Sequence, residues 1–274
     1  MNSLAKLIAE SVRPLVMAIL NLTPDSFSDG GLYLDSSAAI ERGIKLFEMG
    51  ADIVDIGAES TRPGADPVAE QKELDRLLPV ITELSKQGVT LSVDTMKPSV
   101  MQAATDAGAS MINDVNGLLA DGALELVAEL EMPVCIMHMQ GKPGSMQKKP
   151  KYINVVGEVV DYLSDRAKAA LDAGIARHNI VIDPGFGFGK TVAHNFELLE
   201  HLPQLTELGF PVLAGLSRKS MISKTTGRSF EQRISGSIVL AYRAIQQGAR
   251  IVRVHDVPET VDMIKLHQAT LTAR

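Results

Sequence analysis

Along the chain, short runs of apolar and β-branched residues alternate with longer stretches in which apolar positions recur every three or four residues. The short runs fall at 15–20, 53–56, 90–93, 111–112, 134–137, 180–182, 212–213 and 250–254. They are brief and apolar almost throughout, the pattern of strands covered on both faces. The longer stretches read as amphipathic helices: Ile40, Ile44 and Phe47 up to Gly50, then Leu74, Leu77, Leu78, Ile81 and Leu84 up to Gly88, both glycines being suited to end a helix. Helical periodicity continues over 100–107, 123–130, 155–173, 196–208, 231–247 and 259–271. Eight strands, each followed by a helix, predict a (β/α)8 TIM barrel, one domain over 1–274 with its core at about 15–273. A doubly wound open sheet is the structural alternative.

Composition narrows this picture without redirecting it. Apolar residues make up 45% and charged residues 22%, enough for one large core, and the 22 glycines and 13 prolines lie between periodic segments rather than in a linker. A net charge of −6 argues against a nucleic-acid coat, so no nucleic-acid partner is expected and any anion site must be built locally. The one cysteine, Cys135, sits in an apolar run and is expected as a buried reduced thiol. Residues 1–12 mix Lys6 and Glu10 into a short amphipathic pattern unlike a signal peptide, which suggests a cytoplasmic protein. No apolar stretch approaches the roughly 20 residues of a membrane span, so no membrane partner is expected.

The informative feature is where the polar residues stand: almost every unusual cluster follows a strand and precedes a helix. In a barrel those ends converge on one face. The first carries Asn21, then a polar loop with Asp25, Asp29 and Gly30-Gly31; the second carries Glu59-Ser60-Thr61-Arg62-Pro63-Gly64, where an arginine beside hydroxyls suits a carboxylate or phosphate. Turn chemistry or a solvated surface arginine would also account for these two loops. Strands three and four end in Ser92-Val93-Asp94-Thr95 and Asn113-Asp114, which could face a ligand or cap the next helix. Strand five ends in Met137-His138-Met139; the histidine has no chelating partner at metal-ligand spacing and reads better as hydrogen-bonded, while the methionines suit an apolar wall.

Strand six leads into Asp183-Pro184-Gly185-Phe186-Gly187-Phe188-Gly189-Lys190-Thr191. Its last three residues match the end of a P-loop, but the first glycine of that motif would fall on Pro184, which has no N–H to offer a phosphate. Strand seven leads to Gly215-Leu216-Ser217-Arg218-Lys219-Ser220, and strand eight to Arg253-Val254-His255-Asp256. Barrels often bind phosphate after these two strands, and Arg253 and His255, two apart, share a face. The expected face thus sets Asp94, Asn113 and Asp183 on one side and Arg62, Lys219, Arg253 and His255 on the other. That asymmetry suits a polar heterocycle carrying an anionic leaving group.

These motifs, in this order and over roughly 16–257, resemble the dihydropteroate synthase family. One departure is Ala58 before Glu59, where the family is expected to carry glycine. The resemblance implies condensation of 6-hydroxymethyl-7,8-dihydropterin diphosphate with 4-aminobenzoate, inhibition by sulfonamides, and a homodimer. It places Asp94, Asn113, Met137, Asp183, Phe188, Gly215 and Lys219 around the pterin, and Asn21, Arg62, Arg253 and His255 around the diphosphate, with Asn21 also binding Mg2+. It places Thr61, Arg62, Pro63, Phe188, Lys219 and Ser220 around 4-aminobenzoate, and gives Asp94, Lys219, Arg253 and His255 the catalytic roles. A methyltetrahydrofolate methyltransferase, which needs no diphosphate site, and a P-loop nucleotide-binding protein are the competing readings.

Overall fold

The structure, a computed structural model, describes residues 3–22, 32–60 and 66–273, with backbone alone over 32–35. The eight strands form as the apolar runs predict: β1 Leu15–Asn21, β2 Ile53–Gly57, β3 Leu91–Asp94, β4 Met111–Asp114, β5 Val134–Met137, β6 Ile180–Asp183, β7 Leu213–Ala214 and β8 Ile251–Val254. All pairings are parallel, in the order β6-β5-β4-β3-β2-β1-β8-β7. The two ends of that order meet through a bridge between Ile182 and Val212, where the Ile182 N–H donates to the Pro211 carbonyl at 3.0 Å. The sheet closes, so the open doubly wound alternative is excluded.

Strand alternation divides the buried residues into two sets. Val16, Val54, Val93, Ile112, Ile136, Ile182 and Val252 point outward into a continuous layer packed against the helices. Leu15, Met17, Ile53, Met111, Cys135, Val181, Leu213 and Ile251 point inward and fill the N-terminal half of the barrel. Beneath them lie Leu4 and Ile8 of α1 (Ser3–Glu10), so the amphipathic start of the chain plugs the barrel floor. The Arg250 guanidinium holds that plug by donating to the carbonyls of Ile8 and Ser11.

The surrounding helices are α2 Leu32–Glu48, α3 Glu70–Lys86, α4 Pro98–Asp106, α5 Ala123–Leu130, α6 Val155–Asp172, α7 Val192–Glu200, α8 Leu202–Thr206, α9 Ser220–Thr226, α10 Ile234–Gln246 and α11 Val257–Thr272. The helix predicted over 196–208 is thus two. Pro203 stands in the first turn of α8, where it can begin a helix but cannot continue one, because it lacks the N–H and crowds the preceding turn. The segment predicted over 231–247 opens with a 3-10 turn at Glu231–Arg233. Ahead of it stands α9, absent from the periodic pattern and ended by Gly227 at φ +73°. No helix among the described residues is long and apolar enough to cross a membrane.

Candidate active site

The inward face changes character one layer above Met17 and Ile53. The side chains of Asp55, Ser92, Asp94, Asn113, Met137, Asp183 and Arg253 continue the same alternation, and each polar group among them except Arg253 is buried. The register places Asn21 beside Gly57, Gly57 beside Asp94 and Asp94 beside Asn113. Barrel stagger therefore brings residues from the ends of four strands onto one rung.

Arg253 lies at the centre of this layer. Its Nε donates to Asp55 Oδ2 at 2.6 Å and its Nη2 to Asp94 Oδ2 at 2.9 Å. Burial works against the guanidinium charge, but Asp55 and Asp94 outweigh it and hold its pKa above the usual value. Burial pushes the Asp94 carboxyl up to about 7, against the pull of Arg253 and with the charges of Asp55, Asp114 and Glu73 adding to it. The expected separation of carboxylates from cations thus does not hold at Arg253, because β8 sits only two strands from β2 around the barrel. Gly215 lines the same wall, where an added Cβ would lie 3.9 Å from Arg253 Cβ.

Asp183 ends β6 and accepts the Gly185 N–H at 2.7 Å on Oδ1. Burial raises its pKa, opposed by Lys219 and by that N–H. Gly185 has φ +67°, and a Cβ there would collide with the His138 carbonyl, so only glycine fits. Lys219 projects from the start of α9, donates to the Phe186 carbonyl and lies 4.6 Å from the centre of the Phe188 ring. Burial pushes its pKa down to about 8, although Asp183 acts in the other direction. Asp183, Lys219 and Phe188 therefore form one wall, with Met137 buried at the end of β5. Ser220, the first residue of α9, is exposed at the rim.

His255 follows β8, its N–H donating to Ser217 Oγ at 3.2 Å and its Nδ1 lying 2.9 Å from the same oxygen. The neighbouring Arg218 is paired elsewhere, donating through Nε and Nη2 to Asp256 at 3.0 and 2.5 Å. Thr61, Arg62, Pro63, Asp25 and Asp29 lie outside the described residues. The loop that leads into 61–65 is anchored from below: Lys97 Nζ donates to both Glu59 and buried Glu73, and Thr95 Oγ1 donates to Glu73 Oε1 at 2.6 Å. Thr95 is thus spent on that anchor, and Asp114 on the N–H groups of Asn116 and Leu118, both at 2.7 Å.

With this geometry in view, comparison with known proteins decides the assignment. The model of the family described as "Pterin binding enzyme" matches residues 17–255. A dihydropteroate synthase of Haemophilus influenzae is 49% identical over 261 residues, covering 95% of this chain and 95% of that protein. The chain belongs to the dihydropteroate synthase family. Its fold is similar to the Xanthomonas albilineans dihydropteroate synthase solved with 4-aminobenzoic acid, at TM-score 0.90, 53% identity and 95% and 94% coverage of the two chains. It is likewise similar to that organism's enzyme in complex with 7,8-dihydropteroate, at TM-score 0.86, 50% identity and 95% and 94% coverage. The methyltransferase alternative falls with these matches.

The P-loop alternative falls on geometry as well. Lys190 Nζ is turned inward, 2.9 Å from His138 Nδ1, and donates to the carbonyls of Gly185 and Phe188 at 3.0 and 3.1 Å. Burial and the Lys190 charge push the His138 pKa down to about 3, and burial likewise pushes the Lys190 pKa well below its usual value. The lysine braces its own loop and faces no phosphate. One residue of the layer escaped sequence reasoning: Asp55. The signal was a single carboxylate inside the otherwise apolar run Ile53-Val54-Asp55-Ile56, where a buried charge needs a partner.

Proposed function

We propose that the chain joins 6-hydroxymethyl-7,8-dihydropterin diphosphate to 4-aminobenzoate, releasing diphosphate and 7,8-dihydropteroate, with the pterin seated in the polar layer of the barrel mouth. The observation that carries this reading is the coincidence of Asp94, Asn113 and Asp183 on one inward face with Arg253 bonded among them. Carboxylates and an amide in a dry cleft match the adjacent N–H donors of a 2-amino-4-oxo heterocycle. Lys219 beside Asp183 would meet the ring's acceptor edge, and Phe188 and Met137 its flat faces.

Arg253 Nη1 has no hydrogen-bond partner among the described residues, which leaves it for a diphosphate oxygen. His255 stands next along the same face and Asn21 across the rim. Together with Arg62 they would take the leaving group, stabilising charge that grows as the carbon–oxygen bond breaks. Asp94 would then stand beside the electron-poor methylene carbon, and the amine of 4-aminobenzoate would attack it, losing its proton to solvent or to the departing diphosphate. Thr61, Arg62, Pro63, Phe188, Lys219 and Ser220 are the residues assigned to 4-aminobenzoate, whose carboxylate would lie at the Ser220 end.

Mg2+ fits the mouth on donor chemistry. Among the described residues no group of three or more His, Cys, Asp or Glu side chains is arranged to hold a metal, so the ion would be shared between the Asn21 amide oxygen, diphosphate oxygens and water. When bound it would offset charge on the diphosphate. The test is an assay of purified chain with both substrates and Mg2+. Diphosphate release matched by 7,8-dihydropteroate formation is expected, and no product with both substrates saturating would overturn the reading.

A further inference from the structure

We infer that Asp55 is a positioning residue for both halves of the substrate, aiming Arg253 at the diphosphate and fixing the amide orientation of Asn113 toward the pterin. The inference rests on the roles proposed above for those two residues.

Asp55 is fully buried inside the barrel, one layer below the mouth and in register with Ser92. A single oxygen, Oδ2, accepts Arg253 Nε at 2.6 Å and Asn113 Nδ2 at 3.1 Å. An ionised carboxylate only accepts, so the Asn113 side facing it must be the NH2 group. The carbonyl side, Oδ1, is thereby left for a ligand's N–H. On the other arm, Asp55 and Asp94 together occupy Nε and Nη2 and leave Nη1 for an anion. Two carboxylates of neighbouring strands therefore fix the plane of the guanidinium, which a single partner would leave free to swivel about its bond.

Asp55 Oδ1 and Ser92 Oγ, one on each of two register partners, are buried without a hydrogen-bond partner among the described residues. An unsatisfied buried carboxylate oxygen is destabilising. A carboxylate serving stability alone would be better replaced by an apolar residue like those beneath it. Keeping it there makes sense if its direction matters.

Variants at Asp55, alone and in an Asn113→Ala background, test the inference, with binding of inorganic diphosphate plus Mg2+ and of a pterin lacking diphosphate as probes. Asp55→Ala should weaken both probes about tenfold or more and lower kcat/KM for the pterin diphosphate about a hundredfold, while leaving the KM for 4-aminobenzoate within about threefold. Asp55→Asn can keep its oxygen at the Oδ2 position and turn its NH2 toward Ser92, so it should restore most of the binding. It removes the charge while keeping the acceptor that faces Arg253 and Asn113.

The charged groups that act on Asp94 are Arg253 from β8, which bonds it, and, through their charge, Asp55 from β2, Asp114 from β4, Glu73 from α3 and Lys219 from the start of α9. Deleting the Asp55 charge should lower the Asp94 pKa, read from the pH dependence of kcat/KM, a shift that packing damage would not produce. In an Asn113→Ala background, Asp55→Ala should cost little further pterin affinity. The inference is overturned if Asp55→Ala binds both probes normally, if its pterin loss is undiminished in the Asn113→Ala background, or if the Asp55→Asn profile stays in place. Should Asn113→Ala and Arg253→Ala themselves bind both probes normally, it is the proposed site roles that fail instead.

Discussion

The two halves of the barrel interior are built from the same eight strands on opposite principles. The lower half holds Leu15, Met17, Ile53, Met111, Val181, Leu213 and Ile251 above the plug of Leu4 and Ile8, an apolar filling with no polar side chain to satisfy. The upper half, two residues further along the strands, holds three acids, an amide and an arginine. Apolar filling stabilises the closed barrel, at roughly 25 cal/mol for each Å² removed from water. Burying charge opposes it unless partners are present. The difference teaches where stability is made and where it is spent: the floor is interchangeable chemistry under tight volume control, and the mouth is fixed chemistry tolerated for its function.

The largest expected effect comes from the mouth. Asp183→Ala should weaken pterin binding about a thousandfold, as loss of a buried charged acceptor does, while circular dichroism and the melting transition stay close to wild type. Unchanged pterin affinity by calorimetry would erase the contrast with the floor. The matching change below, Ile53→Ala, should cost about 3 kcal/mol of stability through lost burial and a residual cavity, measured by denaturant unfolding, with substrate KM values unchanged.

Lys190→Met tests the border between the two regimes. It removes the amine that bonds His138 Nδ1 and the Gly185 and Phe188 carbonyls, so a stability loss of about 2 kcal/mol is expected, with a higher KM for the pterin substrate because Phe188 and the Asp183 loop lose their brace. A gain or no change in both quantities would show that the loop holds itself.

The smallest effect is a pH dependence. Burial pushes the Asp94 carboxyl up to about 7 in the folded chain, above the usual carboxylate range, so the folded chain holds that proton more tightly. The stability it contributes is full below about pH 4 and is lost as pH rises through 7, the reverse of an ordinary salt-bridged aspartate. Melting temperatures of Asp94→Asn should therefore fall less than those of wild type between pH 4 and 7, and equal slopes would contradict the burial argument.

Much of this was legible beforehand, for identifiable reasons. Strands covered on both faces betray themselves by β-branched runs, and a polar residue that ends such a run, as Asn21, Asp94, Asn113 and Asp183 do, stands out against it. Asp55 did not stand out, because a lone acid within a run is masked by the apolar residues around it and its partner Arg253 is 198 residues away. The union of Arg253 with Asp94 was hidden for a similar reason: barrel stagger, invisible in one dimension, decides which rungs coincide. The brace formed by Lys190 was obscured by its likeness to a nucleotide-binding motif, which specifies a residue order but not a side-chain direction. Helix α9 escaped because seven residues are too few to show a period.

The barrel floor also sets an order of events during synthesis. Strand β1 acquires its second neighbour only when β8 is available, and Arg250 clamps carbonyls of Ile8 and Ser11, 242 and 239 residues earlier. Until residues 250–254 leave the ribosome, β1 presents an open edge and its plug has no latch. Loop closure over such a span is slow and an unpaired edge is prone to association. The chain therefore stays an unclosed sheet until β8 is free to pair with β1.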